Sequence, residues 1–355
     1  MKKINFCAGP GIMPRSVLEK AAQAVLDFNG MGLSLLEISH RSRAFQDVMD
    51  ETCALVKELY ELNAEYEVLF LGGGASMQFC MVPYNLLPNQ GKAAYVKTGV
   101  WADKAAQEAQ LFGEVDIVGS SEDKKYSYIP QYTVSEKHTY LHITTNNTIY
   151  GTQMQQLPAN LPCPIVADMS SDIFSRRIDA QQFALIYAGA QKNMGPAGAT
   201  MVIVRKDILG KSGRKIPTML NYQTHIDNGS MFNTPPVFAI YCCYLTLQWI
   251  KERGLAQIEV DNRAKAACLY SEIDRNSLFY GTVETAARSL MNVTFKTQTP
   301  EQEKLFQQMA NDAGCVALEG HRSVGGFRAS LYNALDLNSV QVLTQVMREF
   351  EAKYA

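Results

Sequence analysis

The chain has 355 residues, 47% of them apolar and 19% charged, enough to bury a large core and to form two domains. A formal net charge of −2 without a strongly basic stretch argues against a nucleic-acid binder, which needs clustered cations to neutralise phosphates. The eight cysteines contain no C-x-x-C pair and read as reduced core residues of a cytoplasmic protein, forming neither a disulfide frame nor a zinc site.

The opening MKKINFCAGPG has basic residues but no apolar h-region, so no signal peptide is expected. In VLFLGGGASMQF (68–79) an apolar strand runs into Gly72, Gly73 and Gly74, and a helix should open at Ala75 and Ser76. Free backbone N–H groups at that helix start, with the Ser76 hydroxyl, favour an anion. Two nucleotide motifs fail here. A dinucleotide fingerprint would need glycine where Met77 stands, and Gly210-Lys211-Ser212 lacks the earlier glycine of a P-loop because position 205 is arginine. A glycine triplet by itself is as often a plain strand-to-helix turn.

The charged run SEDKKYS (121–127) reads as an exposed loop. TYLHITT (139–145) reads as a strand leading into NNTIYG, which puts Thr148 in a loop. His138 and His142 would share a face of that strand, with no acidic third ligand beside them, so structural histidines and no metal are expected. PIVAD ends a further strand on Asp168, followed by the small polar residues of MSSDIF.

In FALIYAGAQKNMGPAGATMVIV (183–204) two strand-like apolar runs flank a short glycine-rich turn holding Lys192. An amine held among apolar neighbours loses hydration in its charged form, which lowers its pKa and frees it to attack a carbonyl. An unselected lysine is usually a solvated surface residue. Thr148, Asp168 and Lys192 instead follow three successive strand ends, which suits an open α/β sheet with its ligand outside those ends. A lysine for an aldehyde and an aspartate for a pyridinium nitrogen are the fixed needs of a pyridoxal 5′-phosphate site.

PVFAIYCCYLTLQWI (236–250) is too short to span a bilayer comfortably and suits a buried helix with proline near its start. KERGLAQIEVDNRAKAACLYSEID reads as a long helix crossing between two domains. MNVTFK, CVALEG and GFRASLYN should be short strands, and SVQVLTQVMREFEAKYA a closing amphipathic helix.

Six long stretches, in order, carry a resemblance: FCAGPGIMP (6–14), SLLEISHRS (34–42), IVADMSSDIFSR (165–176), IYAGAQKNMGPAG (186–198), DNGSMFNTPPVFAIY (227–241) and GHRSVGGFRASLYNA (320–334). The chain resembles, end to end, the phosphoserine aminotransferase family within the class V, fold-type I pyridoxal phosphate enzymes. The resemblance implies an α/β fold: a large domain with a mostly parallel central sheet flanked by helices, and a smaller α+β C-terminal domain. Residues 1–15 would be an arm packed with the small domain, 16–250 the large cofactor-binding domain and 251–355 the small one.

The implied activity is ping-pong transamination between O-phospho-L-serine with 2-oxoglutarate and 3-phosphohydroxypyruvate with glutamate, in serine biosynthesis. Whether phosphohydroxythreonine of vitamin B6 synthesis is also a substrate stays open. By the same resemblance Lys192 would hold the cofactor aldehyde and shuttle the proton between Cα and C4′, Asp168 would bind the pyridine nitrogen, and Trp101 would stack on the ring. Tryptophan is more often simply a core residue. Thr148 matches a hydroxyl at the ring side, and Ala75, Ser76 and Gln191 match phosphate contacts. Asn233 and Thr234 match residues that reach the phosphate from a partner subunit, implying a homodimer with shared sites. Arg328 would take the α-carboxylate in a bidentate pair. His40 and Arg41 match the pair for the glutamate side chain or the substrate phosphate, and His321 and Arg322 match residues offered to that phosphate across the dimer. One departure stands out: some relatives have arginine where this chain has Ser76, leaving Arg43 or Arg322 as candidate replacements.

Two other readings are open. One is another class V enzyme, such as an alanine or serine aminotransferase using glyoxylate, or a desulfurase; His40, Arg41, His321 and Arg322 argue against it. The other is a cofactor-binding regulatory protein without turnover, against which stands the presence of both Lys192 and Asp168.

Overall fold

The computed structural model describes residues 3–355. Its centre is a seven-stranded sheet in the order Tyr66–Leu71, Thr200–Arg205, Leu185–Gly189, Ile165–Asp168, Leu141–Thr144, Lys92–Lys97, Glu114–Ser120. Only Thr200–Arg205 runs against the others. The inner strands are buried along their length, as expected where both faces of a largely parallel sheet are covered. Covering helices include Gly74–Leu86 and Val100–Ala109, and Arg43–Leu59 packs against Val237–Arg253.

That last helix is the apolar run after Pro235; it is capped by Pro236, and Ala239 to Ile250 fill the sheet's larger core. The expected long crossing helix is present but starts four residues later, at Leu255, because Lys251–Arg253 still belong to the preceding helix. Gly254, at φ 77°, ends Val237–Arg253, and a new helix, Leu255–Arg275, starts beside it. A side chain at that backbone conformation would be strained, which makes the glycine the breakpoint. Within the second helix Leu255 and Ile258 belong to the larger core, whereas Ala266, Leu269 and Ile273 belong to another.

The second core lies under a three-stranded antiparallel sheet, Phe279–Gly281, Asn292–Thr297 and Phe327–Ser330. Phe279, Phe295, Phe306, Phe327 and Phe350 form a chain of aromatic contacts there, with Phe279 and Phe306 centroids 4.7 Å apart and edge-on. Each buried phenyl contributes about 1.5–3 kcal/mol relative to exposure. The helix Leu337–Tyr354 closes this core through Val340, Leu343, Met347 and Phe350. CVALEG meets that sheet only through an isolated antiparallel bridge from Glu319 to Phe327. Only Cys315–Val316 is a strand, and it pairs in parallel with Ile4–Asn5 of the N-terminal segment.

The run at 121–127 is a single 3-10 turn, Glu122–Lys124, between buried Ser121 and Tyr126. His138 precedes its strand instead of lying on it and has an acidic neighbour, Asp116, 3.2 Å from its Nε2. Among the described residues no group of three or more potential metal ligands stands together, and no helix is long and apolar enough to cross a membrane. All eight cysteines are free, four of them buried.

Candidate active site

Parallel strands deliver their C-terminal ends to one edge of the sheet, and the polar residues that follow them converge there. Asp168 is the last residue of its strand. Thr148 follows Leu141–Thr144, and Lys192 sits in the loop that leaves Leu185–Gly189 and returns as the antiparallel Thr200–Arg205. Between them opens a cavity of about 310 Å³. Of the residues singled out from the sequence, Ala75, Ser76, Trp101, Thr148, Asp168, Gln191, Lys192, His321 and Arg328 line it.

The helix Gly74–Leu86 points its N-terminus into this cavity, with Gly73 at φ 86° as its cap. A Cβ on Gly73 would also stand 2.6 Å from Met77 Cβ, so the turn tolerates only glycine. The unpaired N–H groups of that first turn make an anion seat at the cavity floor.

Lys192 Nζ donates a 2.8 Å hydrogen bond to Thr148 Oγ1. Burial lowers its pKa to about 8; the Arg328 charge adds to the fall and Asp168 opposes it. Asp168 is 5% exposed, and burial raises its pKa. Its Oδ1 accepts a 2.9 Å bond from the Ser170 N–H, which with Lys192 and Tyr187 holds the rise back. Arg328 Nη1 donates to the Thr148 carbonyl at 3.3 Å, and burial lowers its pKa also. The cavity therefore gathers an amine of lowered pKa, the Asp168 carboxyl and a guanidinium, with the amine and the guanidinium both bonded to Thr148.

Two buried polar atoms of the wall, Thr144 Oγ1 and Arg328 Nε, have no partner among the described residues. Orphans of this kind mark positions that a ligand satisfies. Sequence reasoning missed Thr144 and Asn146 of the wall, although the polar run TTNNT signals them, and Ser170 and Ser171, which the small polar residues after Asp168 signal. It missed Ala8 and Gly9 as well. Gly11 N–H bonds the Gln191 carbonyl at 2.7 Å and Tyr332 O–H bonds the Ala8 carbonyl at 2.6 Å, so the N-terminal arm is drawn across the cavity.

Five predicted residues lie outside the cavity. Arg41, Asn233 and Thr234 are exposed, and His40 and Thr234 border a separate shallow hollow beside Leu35 and Leu36. His321 lines the cavity of its own chain, where the resemblance had it reaching across a dimer, while Arg322 is exposed. The reason is the loop that closes on itself through Gly320 N–H to the Gly326 carbonyl, 2.8 Å, turning His321 inward. Arg43 is engaged by Asp47 at 2.7 Å.

With this geometry in place, comparison with known proteins decides the family. The family model described as aminotransferase class-V matches residues 4–343. The phosphoserine aminotransferase of Flavobacterium psychrophilum is 57% identical over 99% of this chain and 100% of its own. The chain belongs to the phosphoserine aminotransferases of class V. Among solved structures, phosphoserine aminotransferase from Bacillus circulans subsp. alkalophilus superposes with a TM-score of 0.97 at 43% identity, covering 100% of this chain and 99% of that one. The PLP-bound phosphoserine aminotransferase of Trichomonas vaginalis gives a TM-score of 0.92 at 33% identity, covering 98% and 100%. The α/β fold with a mostly parallel central sheet is thus that of the family's solved members.

Proposed function

We propose that this chain interconverts O-phospho-L-serine and 2-oxoglutarate with 3-phosphohydroxypyruvate and glutamate. The observation that carries the reading is the meeting of Lys192, Asp168 and Arg328 in one cavity at the sheet's C-terminal edge. The cofactor is pyridoxal 5′-phosphate, and the residues present fit it. A buried carboxylate suits the ring nitrogen, the helix N-terminus at Gly74 suits the phosphate, and Trp101 offers a ring for stacking. When bound, the cofactor supplies an aldehyde for the substrate's amino group and a ring that accepts electrons from Cα.

The protein's own groups do the rest. Lys192 Nζ, with its lowered pKa, is deprotonated often enough near neutrality to act as nucleophile and then as the base for the Cα proton. Asp168, as an anion, keeps a proton on the ring nitrogen. Ala75, Ser76 and Gln191 would hold the phosphate. Arg328 presents a planar fork to the α-carboxylate, and its unpartnered Nε leaves one of the fork's donors free. His321 adds a donor at the same wall.

His40, Arg41, Asn233 and Thr234 complete the reading in a homodimer. They stand on a face that also exposes Met31, Leu33 and Leu36, and a second copy packed there would cover those apolar residues and receive the polar ones at its own cavity. A large cofactor domain, a small C-terminal domain and a cytoplasmic location belong to the same proposal.

The test is a single-turnover absorbance experiment on cofactor-loaded protein. O-phospho-L-serine should bleach the visible band with release of phosphohydroxypyruvate, and 2-oxoglutarate should restore it. A band that ignores phosphoserine but responds to alanine or cysteine would overturn the substrate assignment.

A further inference from the structure

Behind Asp168, on the side away from the cavity mouth, lies a buried column of polar side chains that the reaction as described does not use. Register places Asp168 beside Tyr187 on the next strand, and Val166 beside His142 on the other. Because side chains alternate along a strand, Asp168, Val166, Tyr187 and His142 all project from one face of the sheet. Tyr187 is fully buried and His142 is 2% exposed. The His142 ring stacks on Tyr95 at 4.7 Å, and its Nε2 lies 2.8 Å from the Tyr187 hydroxyl oxygen. Its other nitrogen, Nδ1, is buried with no partner among the described residues.

The proton count decides between two arrangements. Burial keeps His142 neutral, so the ring has one N–H and the phenol one O–H. If the proton sits on Nδ1, that N–H is an orphaned buried donor, Tyr187 must donate to Nε2, and Asp168 receives nothing from the phenol. If it sits on Nε2, it donates to the Tyr187 oxygen, and the phenolic proton is released toward the carboxylate. The second arrangement employs both protons and leaves only a bare lone pair unpaired, the smaller penalty.

We propose that His142 and Tyr187 are positioning residues for the cofactor's ring nitrogen: His142 Nε2–H donates to the Tyr187 oxygen, and Tyr187 O–H donates to Asp168. The relay holds the carboxylate anionic and fixes its orientation, against burial that favours the neutral acid. It rests on the reading of Asp168 as the ring-nitrogen partner. The titratable groups facing this column are few: Lys192 and Asp172 reach Asp168 from its loop side, Tyr140 and Tyr222 flank Tyr187, and Tyr95 stacks on His142.

The relay is tested first without cofactor, by 15N NMR of histidine-labelled protein, with the His142 signal assigned from its absence in His142→Gln. The expected result is a neutral ring protonated on Nε2 from pH 6 to 8; a ring protonated on Nδ1 overturns the relay. In the loaded enzyme the isosteric Tyr187→Phe should shift the pH midpoint of the cofactor's absorbance by about one unit and lower kcat about tenfold, with KM for both substrates unchanged. A Tyr187→Phe enzyme with the wild-type midpoint and kcat overturns the relay. Asp168→Asn separates the two ideas, because wild-type kcat there would overturn the reading of Asp168 itself, whatever the tautomer of His142.

Discussion

Lys192 and Thr148 are joined by a 2.8 Å hydrogen bond from Nζ to Oγ1, the one side-chain acceptor found for that amine among the described residues. An acceptor favours the charged form, so Thr148 works against the burial that lowers the lysine's pKa to about 8. Thr148→Val should lower it further, by about half a unit to one unit. The pH dependence of pyridoxal 5′-phosphate uptake by cofactor-free protein measures this, and an unmoved midpoint would remove Thr148 from the account. Lys192→Ala should lose about 10²–10⁴-fold in turnover while retaining a cooperative melt.

Arg328→Lys keeps the charge and loses the fork. KM for amino donors and keto acids alike should rise about tenfold or more, with kcat less affected, as a charge-assisted contact of about 1.5–3 kcal/mol is weakened. Steady-state kinetics with phosphoserine and glutamate check it. An effect on one substrate only would place Arg328 at the side chain's end of the pocket instead.

Ser76→Arg would put a cation back at the helix N-terminus. KM for phosphoserine should fall about fivefold, as roughly 1 kcal/mol of new contact gives, while KM for glutamate stays unchanged. Equal change in both would mean a general electrostatic effect.

Lys265 is 1% exposed, and its Nζ donates to the Leu331 and Tyr332 carbonyls at 2.9 Å each, with no carboxylate in contact. Burial lowers its pKa from 10.5 to about 7. Between those values the unfolded chain binds a proton that the folded one does not, so the group's contribution to stability rises with pH across that window and is least below about 7. Lys265→Met should flatten the stability profile there by up to about 1.4 kcal/mol per pH unit. Urea unfolding at pH 7 and 9.5 measures it; Lys192 leaves a similar slope above about 8 in cofactor-free protein.

Gly11→Ala should loosen the arm. A Cβ there would stand 2.6 Å from Tyr332 Cδ2 and 2.9 Å from the Lys192 carbonyl. Neither neighbour can retreat easily, and overpacking of this kind costs about 1–3 kcal/mol. Thermal melting with and without cofactor should show the larger loss in the loaded form.

The edge of the sheet that carries the candidate site was legible because strands, turns and chemistry coincide there: PIVAD and FALIYA are read as strands, and Asp168 and Lys192 follow from where they end. Contacts between distant segments were not. Nothing local announces that Ala8 will meet Tyr332, a separation of 324 residues. Periodicity also could not place the boundary between the apolar helix and the crossing one at Gly254, because a lone glycine is tolerated in a helix unless its backbone must turn. His142 read from the sequence as a structural histidine with no partner to name, and only its register beside Val166, two residues before Asp168, sets it against Tyr187.

The residue after the lysine has its own tie. Asn193 Oδ1 accepts a 3.0 Å bond from the Asn333 N–H, Asn333 Nδ2 donates to the Phe174 carbonyl, and Asn262 holds Asn333 Oδ1. All three asparagines are buried where the two cores meet. This knot stands beside the amine, and the segment that leaves it carries Arg328, so a change at any of the three asparagines would be felt at the guanidinium and the amine together.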